Sequence, residues 1–182
     1  MKTPFIIGEQ IYLRPLQRDD LNERYLTWLN DPEINRYLET GIFPSTQEDL
    51  EHFYERVMGS PNAVMLAIIE KSSDRHIGNI KLEPIHWVHR WATLGILIGE
   101  KDCWGKGYGV EAVRLMVKYA FERLNLQKVD LGVIADNIRA VKAYEKVGFI
   151  VEGRLKRHVF LDGKYVDVLK MAIFREDFIS QG

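Results

Sequence analysis

Cysteine is almost absent. Cys103 is the only one in the chain, so no internal disulfide can form, stapled secreted scaffolds are excluded, and a cytoplasmic setting is expected. No Cys/His cluster has metal-ligand spacing, which removes zinc modules and leads us to expect no metal site. No run approaches about 18 consecutive apolar residues. Met1 to Gly8 carry neither a basic start nor a long apolar stretch, so neither a membrane span nor a signal peptide is expected. An excess of one charge is lacking too: 25 Lys and Arg face 26 Asp and Glu, for a net charge of -1. That balance argues against a protein whose main work is neutralising nucleic-acid phosphates. Repeats, linkers and low-complexity tracts are also missing.

What is present suffices for one well-filled core. With 46% apolar and 28% charged residues over 182 positions, the expectation is a single domain spanning 1–182. Residues 10–15 alternate and end at Pro15, which reads as an edge strand. A helix follows over about 19–29, with Leu21, Tyr25, Trp28 and Leu29 on one face. Ser45 with Glu48 forms a capping-box pattern that opens a second helix, ending near Gly59. Strands are expected at 64–69, 76–82 and 92–98. Helical periodicity then takes over from Gly109 to about Asn125. A strand over 129–134, a helix over 137–147 stopped by Gly148, and a hairpin turning at Asp162-Gly163 complete the chain. This order predicts an α/β chain of the mixed, α+β type: one sheet flanked by helices, with a parallel strand pair between 92 and 134. Ligands favour such parallel switch points.

Trp104-Gly105-Lys106-Gly107-Tyr108-Gly109 lies between that strand and the following helix. Lacking Cβ atoms, its glycines let the backbone approach a ligand, while successive N–H groups and the helix N-terminus face a shared anion. A pyrophosphate is the natural candidate, and a plain connecting turn is the alternative. The loop is not a Walker loop, because Gly107 stands where a hydroxyl residue is needed. A dinucleotide fingerprint is disfavoured by Val110 at its third glycine, and by the short chain remaining after Asp130.

The pattern resembles the acyl-CoA loop of the GNAT N-acetyltransferases, with Trp104 departing from the usual Arg or Gln at its first position. A second block, Asn137, Ala140, Tyr144-Glu145-Lys146 and Gly148-Phe149, resembles that family's Asn-x-x-Ala-x-x-x-Tyr-Glu-Lys-x-Gly-Phe segment. The likeness extends from about His76 to Phe174, and is closest to the branch of ribosomal-protein-alanine, spermidine and amino-sugar acetyltransferases. It implies the GNAT fold, a mostly antiparallel sheet with one splayed parallel pair. It also implies acetyl-CoA as acyl donor and direct transfer to a primary amine in a ternary complex. Tyr144 matches the tyrosine that protonates the leaving thiolate. The backbone of Leu97, Ile98 and Gly99 matches the stretch that holds the pantetheine arm. Trp104 to Val110 (Trp104, Gly105, Lys106, Gly107, Tyr108, Gly109, Val110) correspond to the diphosphate cradle, and Asn137 to a cofactor contact. Dimerisation is common in similar proteins, so a homodimer is possible.

The chemistry needs two proton transfers. A primary ammonium must lose a proton, at a cost of about 4 to 5 kcal/mol at neutral pH, and the departing thiolate leaves more readily once protonated. For the first, the family's glutamate is replaced by Gly132, leaving Glu83, His86, Glu100 or water as candidates. Cys103 has no neighbouring histidine in sequence to activate it, so an acyl-cysteine route is disfavoured. Residues 31–55 hold seven acids against Arg36 alone. They attract a cationic amine or form a solvated helix face. A small-molecule amine such as a polyamine or amino sugar is the expected acceptor, with no nucleic-acid or membrane partner. A protein N-terminus, a non-catalytic CoA-binding module and a protein-interaction module stand as alternatives.

Overall fold

Alternation along the first strands already assigns two cores. In β2 (Ile11–Pro15), Ile11 and Leu13 enter one apolar cluster and Tyr12 the other. In β3 (Val64–Glu70), Leu66 and Ile68 join the first and Met65, Ala67 and Ile69 the second. Successive side chains of a strand point to opposite faces, so both faces of this sheet are buried here. The computed structural model describes residues 3–179. Both ends of the expected 1–182 domain lie outside them, as do Met1 and Lys2 of the segment read for a signal peptide.

The remaining strands are β1 (Ile6–Ile7), β4 (Arg75–His86), β5 (Trp91–Ile98), β6 (Lys128–Ile134), β7 (Ile150–Leu161) and β8 (Lys164–Phe174). They form one sheet in the order β1-β2-β3-β4-β5-β6-β8-β7. Every neighbouring pair is antiparallel except β5 and β6. This is the mixed sheet the sequence predicts, with its parallel pair where expected. The strand over 11–15 is not an edge, because β1 pairs outside it through Ile6 and Leu13. Two residues were too few to leave a periodic signal.

Helices α1 (Glu23–Asn30) and α2 (Gln47–Met58) cover one face through Tyr25, Trp28, Leu50 and Val57. Helices α3 (Tyr108–Glu122), α4 (Ile138–Val147) and α5 (Arg175–Ile179) lie on the other, where Met116, Phe121, Val147 and Phe178 pack. The first helix begins later than its periodicity suggests. Residues 18–20 form a 3₁₀ turn, and Asn22 caps α1 by accepting from the amides of Arg24 and Tyr25. The second capping box is one residue further on, Thr46 with Asp49, because Ser45 is held by Asn30 instead. Gly148 ends α4 in a left-handed conformation, φ 112°, which glycine adopts at little cost.

A buried ion pair braces β2 against the turn before α1. Arg14 donates to both oxygens of Asp20 at 2.6 and 2.8 Å, each residue being 1% exposed. Asp20 also accepts from the Gln17 amide at 2.8 Å. Burial alone would raise the Asp20 pKa, but Arg14 and the Gln17 amide outweigh it and hold the carboxyl at about 2. A group depressed in this way stabilises the fold by about 2 to 3 kcal/mol above its unfolded pKa, and the contribution is lost as pH falls through about 2. Replacing Asp20 by Asn should therefore lower urea-unfolding stability at pH 7 by at least about 2 kcal/mol and flatten its decline below pH 4. Equal stability losses at pH 7 and pH 2 would refute this assignment.

Candidate active site

Strands β5 and β6 pair only at their beginnings, Trp91 with Lys128, Ala92 with Val129 and Thr93 with Asp130. Beyond that point β5 stays with β4 as far as Ile98, and β6 stays with β8 as far as Ile134. Two strands held by different neighbours diverge, and a fork opens between them. Its apex is pinned by the Thr93 hydroxyl, which donates to Asp130 at 2.7 Å. Above the apex the facing backbone edges have no strand partner. Gly95 and Gly132, each two residues beyond the last pair, put no side chain into the gap. A cavity of about 670 Å³ occupies the fork, walled by Leu94 to Ile98 of β5 and Gly132 to Ile134 of β6.

The glycine loop forms the cavity's upper wall. Gly105 and Gly107 have φ of 77° and 90°, the left-handed region that other residues enter only with strain. Gly107 directly precedes α3. Amides in a helix's first turn have no intrahelical acceptor, so those of Tyr108, Gly109 and Val110 border the cavity with the positive end of the helix dipole behind them. A Cβ on Gly109 would meet only Ile98, at 3.7 Å. The Tyr108 side chain turns away and donates to Glu70 at 2.8 Å, leaving its backbone to line the site. Trp104 locks the loop to the strand, its indole N–H donating to the Ile98 carbonyl at 2.9 Å. Glu111 fixes the start of α3 by accepting from the amides of Glu9 and Gln10.

Helix α4 supplies the opposite wall. Asn137 caps it, accepting from the Ala140 amide at 3.3 Å. Two turns on, Tyr144 lies against Phe149 with ring centroids 5.8 Å apart. Its hydroxyl has no hydrogen-bond partner among the described residues, and burial pushes its pKa up to about 12. At neutral pH this phenol is protonated and has a proton to give.

Of the residues singled out by sequence, Tyr144, Asn137, Leu97, Ile98, Trp104, Gly105, Gly107, Tyr108, Gly109 and Val110 all border this cavity. Gly99 and Lys106 do not. Gly99 packs against Trp28, where a Cβ would come within 2.0 Å of the indole, and belongs to a second cavity of about 620 Å³ on the α1 side. None of the three proposed base residues borders the fork. Glu83 is bonded to Arg56 and Lys81, and these contacts outweigh burial to keep its pKa low. His86 stacks on Trp91 with centroids 3.9 Å apart. Glu100 accepts from Trp28 at 3.2 Å and Arg75 at 3.3 Å. Most of the acids in 31–55 are also engaged locally. Asp31 and Glu33 bind Lys101, Asp49 caps α2, and Glu55 meets Arg18.

Sequence reading missed the Thr93–Asp130 pin and the cavity-lining Arg36, Tyr37 and Leu38. It also missed Arg139, whose guanidinium carbon lies 4.2 Å from the Trp104 ring centroid. Arg139 occupies an unspecified position within the quoted Asn-x-x-Ala motif, so only three-dimensional proximity reveals it. Among the described residues no helix is long and apolar enough to cross a membrane, and no group of three or more His, Cys, Asp or Glu could hold a metal.

Residues 10–150 match the acetyltransferase (GNAT) domain family. The chain is 32% identical over 178 residues to the spermidine N(1)-acetyltransferase of Vibrio cholerae, spanning 96% of this chain and 99% of the relative. It is likewise 32% identical over 175 residues to the Escherichia coli K12 spermidine N(1)-acetyltransferase, covering 96% and 91%. A crystal structure of the Vibrio cholerae spermidine N-acetyltransferase in complex with CoA and spermine superposes with a TM-score of 0.86 at 29% identity, over 93% of this chain and 98% of that one.

Cys103 is buried, and burial first, then Asp102, raise its thiol pKa. Reaction of the folded protein with an aromatic disulfide reagent at pH 7 should be at least about 10-fold slower than in urea. Fast stoichiometric labelling of the native chain would restore the thiol as a nucleophile.

Proposed function

The chain belongs to the GNAT acetyltransferase domain family, an acetyltransferase family with acetyl-CoA as acyl donor, and from that premise we propose that it acetylates a primary amine of a polyamine inside the β5–β6 fork. The observation that carries the proposal is the meeting, in one cavity, of an unpaired β5 edge, the free amides of a helix start and a protonated phenol. The polyamine choice is supported by whole-length similarity to spermidine acetyltransferases.

The residues present fit acetyl-CoA. Free amides at Tyr108, Gly109 and Val110 suit a diphosphate, and the open β5 edge at Leu97 and Ile98 suits an extended amide-rich arm through strand-like pairing. Acetyl-CoA supplies the thioester-bound acetyl group. Within this reading the amides around Gly107 hold the phosphates, and an N–H of β5 polarises the thioester carbonyl. Asn137 orients the arm with the amide nitrogen that capping leaves free. Tyr144 Oη gives its proton to the leaving sulfur. Cys103 takes no part, so the amine attacks directly. With Glu83, His86 and Glu100 engaged elsewhere, the ammonium proton passes to solvent water on the α1 side of the fork.

Acetyl-CoA consumption measured with spermidine, amino sugars, amino acids and peptides should be fastest with the polyamine. The Tyr144→Phe variant should lose about 10²-fold in kcat while CoA affinity stays within about 2-fold. Unchanged turnover would remove the phenol from the mechanism. Because no side-chain base intervenes, kcat/KM should rise about tenfold per pH unit from 6 to 9, without a plateau until the amine itself titrates. A break near pH 6 to 7 would reveal a protein base. Gly109→Val should weaken CoA binding at least about 10-fold with little change in Tm, since the Cβ fits the fold but intrudes on the approach to the amides. Unaltered affinity would displace the phosphate cradle from this loop.

A further inference from the structure

The cavity has an uneven charge that the phosphate cradle does not use. Its lining includes one acid, Glu33, and four bases, Arg36, Arg139, Lys142 and Lys146. Glu33 is neutralised by Lys101 at 2.7 Å, and Arg36 by Asp162 at 2.8 Å. The other three are all on α4, and among the described residues none of them has an acidic partner. Positions 139, 142 and 146 are three and four apart, so they form one row along the helix, on the flank beside the cavity.

Arg139 differs from an ordinary solvated helix cation. Its guanidinium carbon is 4.2 Å from the Trp104 ring centroid, and that indole is itself fixed by the Ile98 carbonyl. A guanidinium held over an aromatic face loses much of its rotamer freedom in advance and still has N–H donors for an anion. Unpaired cations along a concave wall raise the local anion concentration. A diphosphate on the loop amides accounts for only part of the negative charge of CoA. Its adenosine carries a further phosphate on the 3′ oxygen, of about -1.5 to -2 charge at neutral pH.

We propose that the α4 row of Arg139, Lys142 and Lys146 is the receptor for the 3′-phosphate of CoA, and so selects CoA over 3′-dephospho-CoA. This inference rests on the reading of the fork as the acetyl-CoA site. Arg139 makes the oriented, charge-assisted contact, and the two lysines complete the field around the phosphate.

The test is calorimetric titration of the full chain with CoA and with 3′-dephospho-CoA at low ionic strength. The wild type should bind CoA at least about 10-fold more tightly, and the preference should shrink as salt is raised. In the Arg139→Gln/Lys142→Gln double variant the preference should fall to about 2-fold, chiefly by weaker CoA binding, with Tm unchanged. Equal wild-type affinity for the two ligands would overturn the inference. So would an equal loss for both ligands in the variant, which would assign the row to the diphosphate. A wild type that bound neither ligand would sink the acetyl-CoA reading itself, an outcome distinct from loss of discrimination alone.

Discussion

Everything in the site follows from two strands that each keep an outer neighbour and part from one another. β4 holds β5 to its last residue, β8 holds β6 to its last residue, and contact between the two ends at Thr93 and Asp130. Peptide groups along the parted edges are strong hydrogen-bonding groups, and leaving one buried without a partner costs about 1 to 3 kcal/mol. Such an edge favours water or an extended ligand that pairs like a strand. The hydroxyl-to-carboxylate contact at the apex fixes where the parting begins.

Both helices that wall the cavity start at the open end of the fork, because each follows the strand whose end forms that opening. Two chemically distinct surfaces result. The start of α3 offers the backbone donors of Tyr108, Gly109 and Val110, led in by left-handed Gly105 and Gly107 that few other residues could replace, and α4 offers side chains: an amide at Asn137, a phenol at Tyr144 and a row of cations. Trp104 and Arg139 touch across these walls, so the departure from the usual first loop residue coincides with a cation from the opposite helix.

Local features of the sequence were legible because they depend on near neighbours. The periods of β3 and α3, the Gly148 stop and the hairpin at Asp162-Gly163 all report contacts a few residues apart. The shifted start of α1 and the later α2 cap were misread because neighbouring polar residues compete for the same amides, and tertiary contacts such as Asn30 with Ser45 choose between them. The acidic stretch 31–55 shows the same limit. Its charge excess is plain in the sequence, yet most of its acids are engaged by Lys101, Arg18 and Thr46. The unmatched charge on the cavity wall is positive instead, and it lies on α4.

From the sequence alone came the element order, the mixed sheet, the glycine loop placed before a helix, and the tyrosine two turns into another. Those are properties of spacing, which the chain carries before it folds. Only the tertiary structure decided where β5 and β6 part, that Gly99 belongs beside Trp28, and that the three base candidates are engaged away from the fork. It also decided that Arg139 lies on Trp104. Each of these depends on strand register and helix docking between residues far apart in the chain, and no local pattern encodes that distance.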